Sequence, residues 1–264
     1  MRSAAVGHQC PDCVKEGAKS LRPIKAAYGG RARSLPYVTY TLIGLNLAMF
    51  VATTATGTGI VQGEHPSGLF TRLALVPGGV LTLFDGSHVT VSGVAEGDYY
   101  RLLTSTFLHF GLPHILLNMY CLFLIGPALE QAFGQVRFAA TYLISGLGGA
   151  ALSYALGPQT EIAAGASGAV FGLFAAFYVL NRKRNLELGQ IGSTIALNLV
   201  FSFVVQGIDW RGHVGGLITG AALALAVVYA PGDARRRSLV QLAGIVAVSL
   251  VVVGVVAART AAIS

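Results

Sequence analysis

Seven stretches of this 264-residue chain are long and apolar enough, or nearly so, to cross a lipid bilayer: residues 37–56, 112–133, 138–156, 162–180, 188–205, 212–230 and 239–258. Crossing about 30 Å of hydrocarbon takes about 20 apolar residues in a helix, because no water is present there to satisfy a free N–H or C=O. Only 11% of the residues are charged, against roughly a quarter in a soluble domain. So few charges cannot cover a globule in water. The reading is an all-α polytopic membrane protein. The run 239–258 carries no charge, and 188–205 is the shortest. A further apolar segment, 66–84, is interrupted by Arg72, Pro77 and Gly78-Gly79. It is expected to lie in the membrane interface rather than to span it.

The basic residues fix an expected topology. With the N-terminus inside, fourteen Lys and Arg fall on inner segments, including Arg2, Lys15, Lys19, Arg22, Lys25, Arg31 and Arg33 of the tail. Four, Arg72, Arg101, Arg211 and Arg259, fall outside. That bias follows the positive-inside rule and puts the C-terminus outside. The net charge of +7 is spread in short clusters between apolar runs, so no nucleic-acid face is expected. The first 35 residues hold no apolar stretch of a signal peptide. Cys10, Cys13 and Cys121 are too few for a disulfide framework, and Cys121 reads as a small buried hydrophobe.

Glycines crowd the third, fourth and sixth runs: Gly146, Gly148, Gly149; Gly168, Gly172; and Gly215, Gly216, Gly220. Small residues let helices approach closely in lipid, so these three should form the centre of the bundle. No inverted repeat of the transporter kind is visible.

Polar residues near lipid are costly and therefore informative. Three sets stand out: His109, His114 and Asn118 around the start of the second run; Ser167 in Gly165-Ala166-Ser167-Gly168; and His213 at the start of the sixth. Under the expected topology all three lie toward the outer leaflet. If the fourth span is helical from residue 162, Ser167 sits about 7.5 Å below its outer end. His114 and Asn118 share a helix face, as do His213, Gly216 and Gly220. A serine beside a neutral imidazole is an activated nucleophile. Asn118, His114 and the N–H of Ser167 could receive the oxyanion. Taken singly, each residue has a plainer reading: Ser167 as a packing residue, His114 and Asn118 as interhelical glue, His109 as a loop brace, and the cluster as an ion site. Against transport, no acidic residue stands in the middle of a span. Asp209, beside Trp210 and Arg211, reads as an interfacial charge, so a Ser/His dyad is expected rather than a triad.

Together, Gly165-Ala166-Ser167-Gly168, His213 with Gly215-Gly216 and Gly220, and His109 with His114-x-x-x-Asn118 resemble the rhomboid intramembrane serine proteases. Tyr100-Arg101 is similar to the family's aromatic-Arg motif, with Tyr where Trp is common, and Glu130-x-x-x-Gly134 to another family pattern. The resemblance implies a six-helix core over residues 36–230, preceded by a cytoplasmic basic tail (1–35) and followed by an extra C-terminal helix (231–264). It implies a bacterial plasma-membrane endopeptidase that cleaves single-span membrane proteins in or near their transmembrane segment, without a cofactor. Ser167 and His213 would form the dyad, His114 and Asn118 the oxyanion site, and His109, Arg101, Gly216 and Gly220 structural supports. The serine helix would begin at the floor of a water-filled cavity, for which the Gly-rich stretch 157–166 is suited. The alternative is a catalytically silent rhomboid-like binding protein. His8, Cys10 and Cys13 resemble part of a zinc ribbon found before some actinobacterial members. A structural zinc takes four ligands, and no fourth is evident, so no metal site is expected.

Overall fold

The computed structural model describes residues 2, 3, 8–20, 26–30, 35–60, 66–82 and 86–263. Seven apolar helices make up the body: α2 (Tyr37–Ala55), α5 (Leu112–Phe133), α6 (Gln135–Leu156), α7 (Ser167–Lys183), α8 (Gly189–Val204), α9 (Trp210–Val228) and α10 (Ala234–Ile263). Smaller pieces complete it: strands β1 (Arg2–Ser3) and β2 (His8–Gln9), helix α1 (Pro11–Ser20), and the short helices α3 (Gly68–Leu73) and α4 (Arg101–Thr104). Strands β3 (Gly79–Thr82) and β4 (His88–Val91) pair antiparallel. The protein is a multi-pass membrane protein of all-α class. Of the tail basic residues, Arg22, Lys25, Arg31 and Arg33 lie outside the described residues.

By length and composition, five of the described helices can cross a membrane: α2, α5, α6, α9 and α10. The other two expected spans are shorter. α7 has 17 residues and α8 has 16, about 25 Å of helix each. For α7 the reason is a correction to the sequence reading. Residues 162–166 are apolar but not helical, and the helix starts at Ser167. Ala163 instead exchanges two 2.9 Å backbone hydrogen bonds with Leu75. That long-range pairing satisfies the segment's backbone, so no helix is required of it. The depth of Ser167 therefore cannot be reckoned from a helical rise starting at 162. Segment 66–84 is likewise more structured than expected: α3, the Leu75 bridge and the start of a hairpin.

The centre is α6, α7 and α9, and it is built on backbone contact. A Cβ on Gly216 would overlap the carbonyl of Gly168, and one on Gly220 would overlap the backbone of Gly172. A Cβ on Gly149 would lie 2.6 Å from the Gly212 carbonyl and 3.2 Å from the Gly168 Cα. On the outer side of this trio, α8 buries a single residue, Ser202. α10 buries only Gln241 and Val256.

The end of the bundle away from Ser167 is tied by polar groups. Glu130, buried on α5, accepts from the N–H groups of Val38 (3.0 Å) and Thr39 (2.8 Å) and from the Thr39 hydroxyl (2.8 Å). A carboxylate at these free amides complements the start of α2. Gln241 donates to the carbonyls of Tyr28 and Val227, both at 2.9 Å, and accepts from Arg137 Nε at 2.8 Å. Residues 26–30 and α10 are thereby fastened to the core.

Because Gly220 meets main chain and not a flexible side chain, Gly220→Val has nowhere to relax. It is expected to lower stability by roughly 3 kcal/mol. Thermal unfolding in detergent will show this as a clear fall in Tm, with Gly44→Val, which faces open space, as the neutral control.

Candidate active site

Ser167 is the first residue of α7 and is half-buried. The first hydrogen bond of this helix end runs from the Val170 N–H to the Ala166 carbonyl. The N–H groups of Ser167, Gly168 and Ala169 thus have no carbonyl one turn back, as at any helix start. Gly165, two residues earlier, has φ +145° and donates to the Ser105 carbonyl at 3.0 Å. This backbone shape suits glycine, and so does the space around it. A Cβ here would lie 2.9 Å from His114 Nε2 and 3.5 Å from Ser167 Oγ. The His114 ring and the Ser167 hydroxyl therefore flank the same point.

A small cavity of about 40 Å³ adjoins this point, with Ser167, Gly165, Ala164, Gly149, Asp209 and Leu75 among its walls. His213, His114 and Asn118 are not part of its lining.

His213 is buried on the first turn of α9. Its ring lies flat on Phe171, with centroids 4.3 Å apart and planes at 15°. Phe171 is four residues beyond Ser167, so the serine and the ring on which His213 rests lie on one face of α7, a turn apart. Among the described residues no hydrogen bond joins Ser167 Oγ to His213. The contact the imidazole does make is from Nδ1 to Ser202 Oγ, at 2.6 Å. Asn118 is buried, and its amide donates to the His114 carbonyl at 3.1 Å, on its own helix.

His109 is fully buried, edge-to-face with His114 at 5.0 Å, and neither ring nitrogen has a partner among the described residues. Arg101 is buried. It donates to the carbonyls of Thr71 (2.7 Å) and Ala74 (3.1 Å) and pairs with Asp98 (3.1 Å). Gly216 and Gly220 lie on the α7–α9 seam. Asp209 is not a loose interfacial charge. It caps α9, accepting from Gly212 N–H at 3.1 Å and from the Ser153 hydroxyl at 2.5 Å. In the tail, Cys10 and Cys13 are free and exposed, and among the described residues no group of three metal-ligating side chains exists. The Cys10 thiol is held below its ordinary pKa by the backbone amides of Cys13 and Asp12 at the start of α1. The side chain of His8 lies outside the described residues.

Sequence reasoning missed two residues in contact with His213. Phe171 carries no chemical signal in an apolar run. Ser202 leaves a faint one, since Thr194, Asn198 and Ser202 form a polar stripe at four-residue spacing on an otherwise apolar helix.

The family model for the Rhomboid domain matches residues 96–230, just over half of the chain, a stretch that includes Arg101, His109, His114, Asn118, Ser167 and His213. The chain belongs to the rhomboid family. Among rhomboid relatives, the rhomboid protease GluP of Bacillus subtilis (strain 168) is 41% identical over 150 residues, 54% of this chain and 29% of GluP. The putative rhomboid protease YdcA of the same organism is 37% identical over 141 residues, 52% of this chain and 71% of YdcA. The rhomboid protease AarA of Providencia stuartii is 30% identical over 172 residues, 54% of this chain and 61% of AarA.

Arg101 holds α3 and the chain after it against α4 of the rhomboid core. Arg101→Met keeps the bulk but strands two carbonyls that the guanidinium now satisfies. A loss of about 3 kcal/mol is expected. Hydrogen–deuterium exchange should show it as faster exchange concentrated in residues 68–76, with α9 unchanged.

Proposed function

We propose that the protein is an intramembrane serine endopeptidase, with Ser167 as nucleophile and His213 as general base. The observation that carries this reading is the shared face of α7. Ser167 opens the helix on the wall of a cavity, and the His213 ring lies against Phe171 one turn below. Such hydrogen bonds are commonly long before substrate binds. A rotation of the serine about χ1, which needs no backbone change, redirects Oγ.

In the reaction, His213 takes the proton of Ser167 as Oγ attacks the scissile carbonyl. The oxyanion is received by the unpaired N–H of Ser167 and by His114, whose ring flanks the same point. Asn118 supplies a further donor once its amide turns from the His114 carbonyl. The imidazolium gives its proton to the leaving amine. A water from the cavity, deprotonated by His213, then releases the acyl product.

The substrate is a single-span membrane protein whose helix unwinds near the cut, because a helical hydrogen bond shields the scissile carbonyl. The proteolytic chemistry accords with the relatives, among them the rhomboid proteases GluP and AarA. In orientation, the Ser167 end faces the outside of a bacterial plasma membrane, in keeping with the distribution of Lys and Arg. The domain limits proposed are a tail over 1–35, the core over 36–230 and an added helix over 231–264.

The test is cleavage of a fluorescent single-span substrate by the full chain in liposomes. Wild type should cut. Ser167→Ala and His213→Ala should each lose about a thousandfold or more in kcat. A fluorophosphonate probe should label Ser167. Undiminished cleavage by Ser167→Ala would overturn the assignment.

A further inference from the structure

The hydroxyl of Ser202 sits in a chain of two short hydrogen bonds whose direction can be worked out. Its Oγ is 2.6 Å from the carbonyl of Asn198 and 2.6 Å from Nδ1 of His213. A carbonyl can only accept, and a hydroxyl has one proton. The proton of Ser202 therefore goes to Asn198, and the bond to His213 must be donated by Nδ1–H into a lone pair of Oγ. That fixes the imidazole as the Nδ1–H tautomer, with Nε2 bare. The two ring nitrogens leave the ring on opposite sides, so the bare nitrogen is the one turned away from α8.

Burial adds to the case. α8 leaves Leu197, Val200, Phe201, Phe203 and Val204 exposed and half-buries Ile191, Ile195 and Leu199, while Ser202, 2% exposed, is the helix's sole fully buried residue. The most deeply buried group of this helix is thus a hydroxyl that meets the candidate base.

We propose that Ser202 is the positioning residue of His213: it selects the tautomer and orients the ring so that Nε2 can take the proton of Ser167. The inference rests on the Ser167/His213 reading. In the catalytic step the Ser167 proton passes to Nε2 and the ring becomes an imidazolium. Its Nδ1–H stays on Ser202 Oγ, where the bond becomes charge-assisted and stronger. The Ser202 proton remains on the Asn198 carbonyl throughout. The same role is filled in Ser-His-Asp enzymes by a carboxylate. Here a neutral hydroxyl takes it, which leaves no extra charge to bury beside lipid. Asp209 does not take it, being committed to Gly212 and Ser153.

The experiment uses the full chain in liposomes at neutral pH. Solid-state 15N spectra of histidine-labelled protein are compared with those of His213→Ala to assign the His213 signals. The wild type should show a protonated Nδ1 and an unprotonated Nε2. Ser202→Ala should lower kcat by about ten- to a hundredfold, leave KM within about twofold, and shift the His213 signals toward the other tautomer. Ser202→Thr, which restores the hydroxyl, should recover both tautomer and turnover. A wild-type spectrum with Nε2 protonated overturns the proposal even if the alanine variant does not fold. Unchanged kcat in Ser202→Ala also overturns it, as does a loss of kcat with the tautomer unmoved. Should Ser167→Ala keep full activity, it is the nucleophile assignment that fails. Should that variant be dead while Ser202→Ala is unimpaired, only the positioning role is lost.

Discussion

The contact on which the rest of this molecule depends is that of main chain against main chain between α7 and α9, where Gly216 faces the carbonyl of Gly168 and Gly220 faces Gly172. In lipid there is no hydrophobic drive to press helices together, so dispersion at close range and small residues must do it. The consequence for chemistry is direct. Ser167 adjoins Gly168, and His213 adjoins Gly212, whose carbonyl lies against Gly168 and Gly149. The seam that sets the distance between two helices therefore also sets the distance between the two backbones bearing the candidate nucleophile and base. Any side chain on the seam moves both.

Around that rigid centre, the ends of the bundle handle the polar groups that a membrane will not tolerate unpaired. At one end, the pairing of Leu75 with Ala163 lets the chain arrive at Ser167 extended, with its backbone satisfied, and the guanidinium of Arg101 closes the carbonyls of the neighbouring loop. Irregular backbone is acceptable there because it borders a cavity and protein, not hydrocarbon. At the other end, Glu130 and Gln241 use single side chains to satisfy the start of α2 and to fasten α10 and residues 26–30. Helix ends that would otherwise carry free amides and carbonyls become the joints of the structure.

Much of this is readable in the sequence because lipid imposes a simple code. Five of the seven expected spans match helices to within three residues and 239–258 lies inside the longer helix Ala234–Ile263, since a long apolar run has almost no alternative to a helix. The fourth, 162–180, does not begin where composition suggests. Ile162, Ala163 and Ala164 are as apolar as any spanning residues, but a partner about ninety positions earlier in the chain, Leu75, draws them into an extended bridge. Nothing local announces that. The cap that Glu130 supplies to Val38 and Thr39 is hidden for the same reason, as are the hairpin of β3 and β4 and the cap role of Asp209. For the candidate site, sequence names the polar residues, because each is conspicuous in an apolar run. It does not say that Asn118 turns its amide onto its own helix, or that His213 leans on Phe171 and Ser202. Those are facts of packing between segments.

The distribution of burial separates what must stay fixed from what can move. α6, α7 and α9 bury whole faces, and their glycine contacts admit no slippage, so they belong to the most stable part of the fold. α8 fully buries only one residue, Ser202. Segments with few buried contacts open at low free-energy cost. Ser202, the acceptor of the Nδ1–H bond, is thus carried by the least secured of the helices near the site. The other face of the same imidazole is held by Phe171 on the most secured. A displacement of α8 would leave the His213 ring stacked in position while removing the acceptor that sets which nitrogen bears the proton. The place of the base is then a property of the core, and its protonation geometry is a property of the periphery. That division lets one histidine sit in a rigid seam while its proton is set by a lightly packed helix.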